Sequence, residues 1–223
     1  MVSLLDIIGP VMVGPSSSHT AGACRLGLLA RGLVSGTPQS ALIELHGSFA
    51  RTGEGHGTDK AIVAGLLGFR PDDERIRTAI QIAEQEGLDY KFEKTTLSDS
   101  SHPNTVRITV ERGEIQATLV GSSLGAGRVL VTEIDGYPVE VTGNFHTIAL
   151  VAEDRKGSIA RITRILADQD INIATLRVSR KQKGGDAFMV IECDEAPGEG
   201  VRDELRALDW VRWARRLDKV SGA

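Results

Sequence analysis

The sequence predicts an α+β chain in two parts: a mixed α/β part over residues 1–143, then a βαββαβ module over residues 144–223. Three observations lead there. Charge changes near residue 143: residues 1–143 carry 12 Lys and Arg against 17 Asp and Glu, whereas residues 144–223 carry 14 against 13. The segment GYPVEVTGN (136–144) gathers Gly, Pro and Asn and makes a natural junction. Beyond it, apolar residues recur with strand and helix periods in a fixed order.

In the first part, HTAGACRLGLLARGLVSG (19–36) reads as a helix rich in small residues and SALIELHGSFA (40–50) as a strand. TDKAIVAGLLGF (58–69) reads as a helix capped by Thr58 or Asp59, and DDERIRTAIQIAEQEG (72–87) as a third helix. TVRITVERGEIQATLVGSS (105–123) reads as a hairpin turning at RGE, and GRVLVTEIDGYPVEV (127–141) as an extension of the sheet. Strand order does not follow from these patterns. In the second part, HTIALVAED (146–154) is an apolar strand. Ile159, Ile162, Ile165 and Leu166 then mark one face of a helix over 156–170. INIATLRVSRKQ (171–182) alternates as a strand, KGGD (183–186) turns, and AFMVIECD (187–194) returns. An amphipathic helix (200–210) and a last strand (211–219) complete the split-βαβ, ferredoxin-like order.

The chain has 223 residues, with 41% hydrophobic and 25% charged, an ordinary globular balance that fits one or two domains. A net charge of −4 argues against nucleic acid or an anionic membrane as main partner, since such binding is dominated by cationic contacts. No apolar run reaches the roughly 18 residues of a membrane span. The opening MVSLLDIIGP lacks the basic stretch of a secretory signal. Two cysteines, Cys24 and Cys193, make no disulfide framework and fit a reducing, cytoplasmic setting. They are also too few to hold an iron–sulfur cluster or a structural zinc by thiols alone.

Four segments carry the candidate chemistry, and four of the five histidines lie in the first part. GPSSSHT (14–20) sets Ser16, Ser17, Ser18, His19 and Thr20 before a helix. Helix N-termini expose unpaired N–H groups and favour anions, and hydroxyls add donors without adding charge. One N-cap would need only a single hydroxyl. GEGHGTDKA (53–61) brackets His56 with glycines and then opens a helix with Thr58, Asp59 and Lys60; it lacks the ending of a Walker loop. Histidine is the natural general base near neutral pH, although a surface turn histidine is the commoner case. SHPNT (101–105) places His102 and Asn104 ahead of a strand. VGSSLGAGRV (120–129) lacks dinucleotide spacing and reads better as a tight glycine turn, with close approach to a ligand as the functional alternative. His19, His56 and His102 show no metal-ligand spacing, so no metal site is expected. In the second part, DRKGS (154–158) joins strand to helix; its backbone and glycine could take an amino-acid carboxylate, or it is an ordinary βα turn.

Taken together, GPSSSHT, GHGTDKA, HPNT, GSSLGAG and the trailing βαββαβ module resemble one family over essentially the whole length: the beta subunits of two-chain, iron–sulfur-dependent L-serine dehydratases. The first part then resembles an allosteric substrate-binding domain, similar to one in some D-3-phosphoglycerate dehydrogenases. The second resembles an ACT domain, a regulatory fold that often binds amino acids at a pairwise interface. The resemblance implies conversion of L-serine to pyruvate and ammonia. It implies a [4Fe–4S] cluster carried by the cysteines of a partner alpha subunit, with its open iron acting on the serine hydroxyl. By position, His19 and His56 become the catalytic candidates. Ser16, Ser17, Ser18, Thr20, Thr58, Asp59, His102 and Asn104 become substrate-binding candidates. Asp154, Lys156, Gly157 and Ser158 become effector contacts, and the ACT module a surface for self-association. A purely regulatory amino-acid sensor, or a stand-alone amino-acid-binding protein, remains the alternative; a sensor needs donors but no base, so the two histidine motifs favour the enzyme subunit.

Overall fold

The computed structural model describes residues 10–97, 101–180 and 182–220 and divides into two compact units, one reaching to Thr142 and the other spanning Gly143–Lys219.

The first unit is a six-stranded sheet with helices on one face. Its strands are β1 (Ser40–His46), β2 (Asp89–Thr95), β3 (Thr105–Arg112), β4 (Ile115–Gly125), β5 (Arg128–Ile134) and β6 (Tyr137–Val141), in the order β2-β1-β3-β4-β5-β6. Only β1 and β2 pair in parallel, because helices intervene between them; the others run antiparallel. Alternation decides which face is covered. Ala41, Ile43 and Leu45 of β1 are buried with Val106, Ile108 and Val110 of β3 and Ala117 and Leu119 of β4. The opposite face carries polar pairs such as Arg107 with Glu44 at 3.2 Å.

The helices are α1 (Ala23–Leu33), α2 (Gly47–Thr52), α3 (Thr58–Leu67) and α4 (Ala79–Glu86). α3 is buried nearly all round, as suits a helix enclosed by neighbours. It crosses α1 at two glycines. A Cβ on Gly27 would lie 2.4 Å from the Ile62 carbonyl oxygen, and one on Gly65 2.1 Å from the Cys24 carbonyl oxygen. The backbones meet there because neither residue has a side chain.

The second unit is formed by β7 (His146–Glu153), α5 (Ser158–Asp168), β8 (Ile173–Arg180), β9 (Asp186–Cys193), α6 (Glu199–Arg206) and β10 (Val211–Leu217). Its sheet runs β10-β7-β9-β8, the ferredoxin-like order expected from the βαββαβ pattern. Ile148, Leu150, Met189 and Ile191 of the sheet pack with Ile162, Ile165 and Leu166 of α5 and with Val201 and Leu205 of α6.

Several elements differ from the sequence expectation, each for a local reason. The helix expected from residue 19 begins as a π-helical turn, Ser17–Gly22. The strand expected over 40–50 stops at His46: Gly47 takes φ +58, and the chain turns into α2. The helix expected over 72–87 opens as a 3-10 segment, Glu74–Thr78. The segment 127–141 extends the sheet as expected, and does so as a hairpin, since Asp135 (φ 49) and Gly136 (φ 78) form a two-residue turn. β2 was not expected. Its sequence, DYKFEKT, is highly charged, which suits a sheet edge.

Candidate functional site

Two of the sequence motifs converge. The Ser17–Gly22 turn carries His19, and the 3-10 turn Glu54–His56 carries His56. The two imidazole centroids are 5.1 Å apart. Thr20 Oγ1 donates to the His56 carbonyl at 3.3 Å and ties the segments together. Ser16 is the N-cap: its hydroxyl accepts from the His19 backbone N–H at 3.1 Å, so that N–H is not free for an anion. Ser17 opens the turn, half-buried.

His19 is held on both nitrogens. Nδ1 lies 3.2 Å from Ser18 Oγ, and Nε2 lies 3.2 Å from Thr52 Oγ1 and 3.3 Å from Ser48 Oγ. The Thr52 hydroxyl donates to the Ser48 carbonyl at 3.0 Å, which uses its single proton. Toward His19 it therefore accepts. The network closes with the proton of His19 on Nε2 and with Nδ1 accepting from Ser18. Phe49 packs edge-on against the ring at 5.3 Å. Burial first, and the neighbouring His56 second, hold His19 below the ordinary histidine value of 6.5, opposed in part by Ser48.

His56 has the opposite arrangement. Its Nδ1–H donates to the Thr52 carbonyl at 2.9 Å. A carbonyl only accepts, so in the neutral ring Nδ1 carries the proton and Nε2 keeps its lone pair. The side chain is exposed and lines a cleft of about 670 Å³ with Thr20, Lys60 and Arg77.

α2 is the element the sequence reading missed, and it supplies Ser48, Phe49 and Thr52. A strand over 40–50 would have sent Ser48 and Phe49 to opposite faces. The Ser48–Thr52 spacing of four was the available signal for one helix face. The HPNT turn anchors this helix: the Ser48 and Phe49 N–H groups donate to the Pro103 carbonyl at 2.6 and 3.4 Å. His102 itself works locally. Its Nδ1 accepts from the Asn104 N–H at 3.1 Å, and the Asn104 carbonyl accepts from the Ser123 N–H at 3.0 Å.

Thr58 and Asp59 do not line the cleft with His56. Each helical residue advances about 100° around the axis, so Lys60 reaches the cleft while its neighbours point elsewhere. Thr58 is fully buried, and Asp59 lines a separate cavity. GSSLGAG acts as the glycine turn between β4 and β5. Arg25 Nη1 donates to the Gly127 carbonyl at 2.5 Å, and a Cβ on Gly22 would meet Ser123 Oγ at 2.0 Å, so the close approach is to the protein itself.

In the second unit, Asp154 pairs with Arg180 and accepts from the Gly184 N–H at 2.9 Å. That N–H first, and then Arg180, hold its carboxyl below the usual range. Gly157 caps α5 at φ +84, and Ser158 Oγ donates to the Arg155 carbonyl at 3.0 Å. Asp154 and Ser158 thus serve their own turns, while Lys156 is exposed.

The two cysteines do not fit an iron–sulfur cluster. Cys24, in the first unit, donates its S–H to the Phe69 carbonyl at 3.2 Å, and burial pushes its thiol up to about 12. Cys193, in the second unit, is pushed up to about 11 by burial and by Glu195, Asp194 and Glu192. A cluster is held by three or four ligands, mostly thiolates, and each unit offers one buried cysteine. Among the described residues no group of three or more His, Cys, Asp or Glu is placed to hold a metal ion. No helix among them is long and apolar enough to cross a membrane.

Fold and site together define a class: a sheet-and-helix unit presenting a pair of histidines, one held by hydroxyls and one by a backbone carbonyl, followed by a ferredoxin-like module. Comparison with known proteins agrees with it. The serine dehydratase beta chain family model matches residues 3–133, and the ACT domain model matches residues 146–209. The chain belongs to the serine dehydratase beta chain family, as the motifs led one to expect, and its second unit carries an ACT domain. It is 46% identical over 208 residues to the probable L-serine dehydratase beta chain of Bacillus subtilis (strain 168), covering 92% of this chain and 93% of that one. It is 38% identical over 218 residues to the L-serine dehydratase beta chain of Peptoniphilus asaccharolyticus, covering 97% and 98%. It is 29% identical over 184 residues to the D-3-phosphoglycerate dehydrogenase of Bacillus subtilis (strain 168), covering 82% of this chain and 35% of that enzyme.

Proposed function

We propose that this chain is the beta subunit of an L-serine dehydratase and lends His56 and His19 to an active site shared with an alpha subunit. The observation that carries this reading is the convergence of the two motifs with opposite tautomers: His56 presents a bare Nε2, and His19 an Nε2–H. Dehydration of L-serine needs a base for the α-proton. The hydroxyl then leaves Cβ with a proton, as water, giving 2-aminoacrylate. Its imine tautomer takes up water and releases ammonia, leaving pyruvate. His56 Nε2 is the group suited to receive the α-proton. His19, kept neutral by burial, positions hydroxyls and donates rather than titrates. Lys60 gives the cleft a cation that suits a substrate carboxylate; Arg77, also on the cleft, is paired with Glu74 at 3.2 Å. Ser16, Ser17, Ser18 and Thr20 lie on the same segment. His102 and Asn104 act by shaping the turn whose Pro103 carbonyl holds α2.

The [4Fe–4S] cluster that the resemblance implies is assigned to the alpha subunit, because Cys24 and Cys193 do not fit it; no step on this chain passes through it. The ACT domain supplies self-association and effector capture in the same reading. Val178 on the edge strand β8 and Ile159 on α5 are two of the four exposed large apolar side chains among the described residues, which supports a pairing surface there. Lys156 and the Gly157 turn are what the 154–158 loop offers to an effector carboxylate. A cytoplasmic setting suits such an enzyme.

The test is pyruvate formation from L-serine, without oxygen, by the candidate alpha subunit with and without this chain. Activity should need both chains. His56→Gln should lower turnover by about 10²- to 10⁴-fold while assembly and cluster absorbance stay unchanged. Full activity from the alpha subunit alone would make this chain a regulator and overturn the assignment.

A further inference from the structure

We propose that His46 and His102 are positioning residues for the histidine pair, and that they make the order of α2 depend on pH. The observation that carries it is one geometry used twice at the start of α2. His46 closes β1 and is the N-cap of α2, yet its ring makes no bond to the helix. Its Nδ1 accepts from the Leu97 N–H at 3.3 Å, just past the end of β2. His102 Nδ1 accepts from the Asn104 N–H at 3.1 Å. That bond runs from a side chain to the backbone two residues on, the place that Asn or Asp takes in an Asx-turn. Here the acceptor is a ring that titrates.

The His102 bond shapes the turn that holds α2. Pro103 lies between its two ends, and the Pro103 carbonyl accepts from the Ser48 and Phe49 N–H groups. A Cβ on Gly47 would lie 2.5 Å from that carbonyl oxygen, so turn and helix meet without slack. The His46 bond ties the chain leaving β2 to the end of β1, one residue before Gly47. Both bonds need a lone pair on Nδ1. A neutral ring protonated on Nε2 has one; an imidazolium has an N–H on each nitrogen and accepts nothing. Acid therefore sets N–H against N–H at both places. Histidine is the side chain that changes charge between about pH 5 and pH 8. Among the described residues, the charged groups on the elements around the two rings are Glu44 with Arg107 at 3.2 Å, Glu93 with Lys91 at 2.7 Å, and the cations Arg51, Lys94 and Arg128. Both of those carboxylates already hold a cation. The effect reaches the site through α2, whose Ser48 and Thr52 hold the His19 ring and whose Thr52 carbonyl holds His56. The claim concerns the order of α2 and stands apart from the dehydratase role; on that reading it sets an acid limit to turnover.

The test is backbone amide exchange of the full chain by NMR at about pH 7.5 and about pH 5.5, corrected for the intrinsic pH dependence of exchange. Protection of the Leu97, Ser48 and Phe49 amides should fall by about tenfold at the lower pH. His102→Asn keeps an acceptor for the Asn104 N–H but does not titrate, so the fall at Ser48 and Phe49 should shrink severalfold. His102→Ala has no acceptor and should lack that protection at both pH values. Imidazole ¹⁵N shifts of the unchanged chain keep the test decisive if a variant fails to fold: at the higher pH, Nδ1 of both rings should carry the lone pair. A proton on either Nδ1 there would overturn the proposal. So would protection that survives with both rings protonated, or a fall as large in His102→Asn as in the unchanged chain, which would place the cause in His19.

Discussion

Gly65→Ala tests the contact that sets the distance between the two histidines. The α1–α3 crossing puts a Cβ on Gly65 2.1 Å from the Cys24 carbonyl oxygen, 2.7 Å from the Leu28 nitrogen and 2.9 Å from the Gly27 carbonyl carbon. All three are backbone atoms, so no rotamer change makes room. Ordinary contact starts near 3.4 Å, and the helices must part by about 1.3 Å at the crossing. Two effects oppose each other. Alanine in a helix interior is favoured over glycine by ~1 kcal/mol. Overpacking a close contact costs ~1–3 kcal/mol, and a contact of backbone on both sides lies at the upper end. The net expectation is a loss of ~1–2 kcal/mol, which lowers a urea midpoint by roughly 0.5–1 M at ordinary slopes. Because α1 runs on from the turn bearing His19, and α3 follows directly on His56, turnover of the two-chain enzyme should fall as well. A midpoint that stays or rises would mean that helix propensity wins, and the reasoning from close packing would be refuted.

Three further outcomes are expected. His19 is held below 6.5, so between its folded value and 6.5 the unfolded chain binds more protons; stability from this group is complete above 6.5 and is lost as pH falls through the folded value. His19→Gln should flatten the loss that sets in as pH falls through 6.5 in urea unfolding, and an undiminished loss would show that other groups cause it. Ser123 Oγ is buried without a hydrogen-bond partner among the described residues, so Ser123→Ala should stabilise by ~1 kcal/mol in the same assay; destabilisation would show that the hydroxyl is bonded. Thr52→Val removes the hydroxyl acceptor of His19 but keeps the carbonyl acceptor of His56, so imidazole ¹⁵N shifts should change for His19 alone.

What the sequence made legible was whatever one segment states by itself. The continuous apolar runs of HTIALVAE and AFMVIEC, the alternation of INIATLRV and the spacing of Ile162, Ile165 and Leu166 were enough for the ACT fold: the two apolar strands are the central pair, buried at nearly every position, and the helix buries one regular face. The motifs around His19 and His56 were legible as motifs. Their meeting was not, since it depends on a helix crossing set by Gly27 and Gly65, 38 positions apart in the chain. α2 escaped for a different reason. A single glycine, Gly47, is all that marks the end of the strand in the sequence, and its weight comes from the Pro103 carbonyl, brought in from a distant turn, which caps the Ser48 and Phe49 N–H groups. Asp59 shows the limit of adjacency: next to Lys60 in sequence, it faces a different cavity.

The different tautomers of the two histidines trace to one residue. Thr52 offers its hydroxyl oxygen to His19 and its carbonyl oxygen to His56. The hydroxyl can accept from His19 only because its proton goes back to the Ser48 carbonyl within the same helical turn. That bond fixes a proton on His19 Nε2, and the carbonyl fixes one on His56 Nδ1. Two rings 5.1 Å apart would otherwise be interchangeable as acid and base. A six-residue helix thus sets which nitrogen of each ring carries the proton, and that helix is held in turn by the Pro103 carbonyl of the HPNT turn. The three polar motifs of the first unit therefore act on one chemical question, the location of two protons, although from His19 to His102 they span 83 positions of the chain.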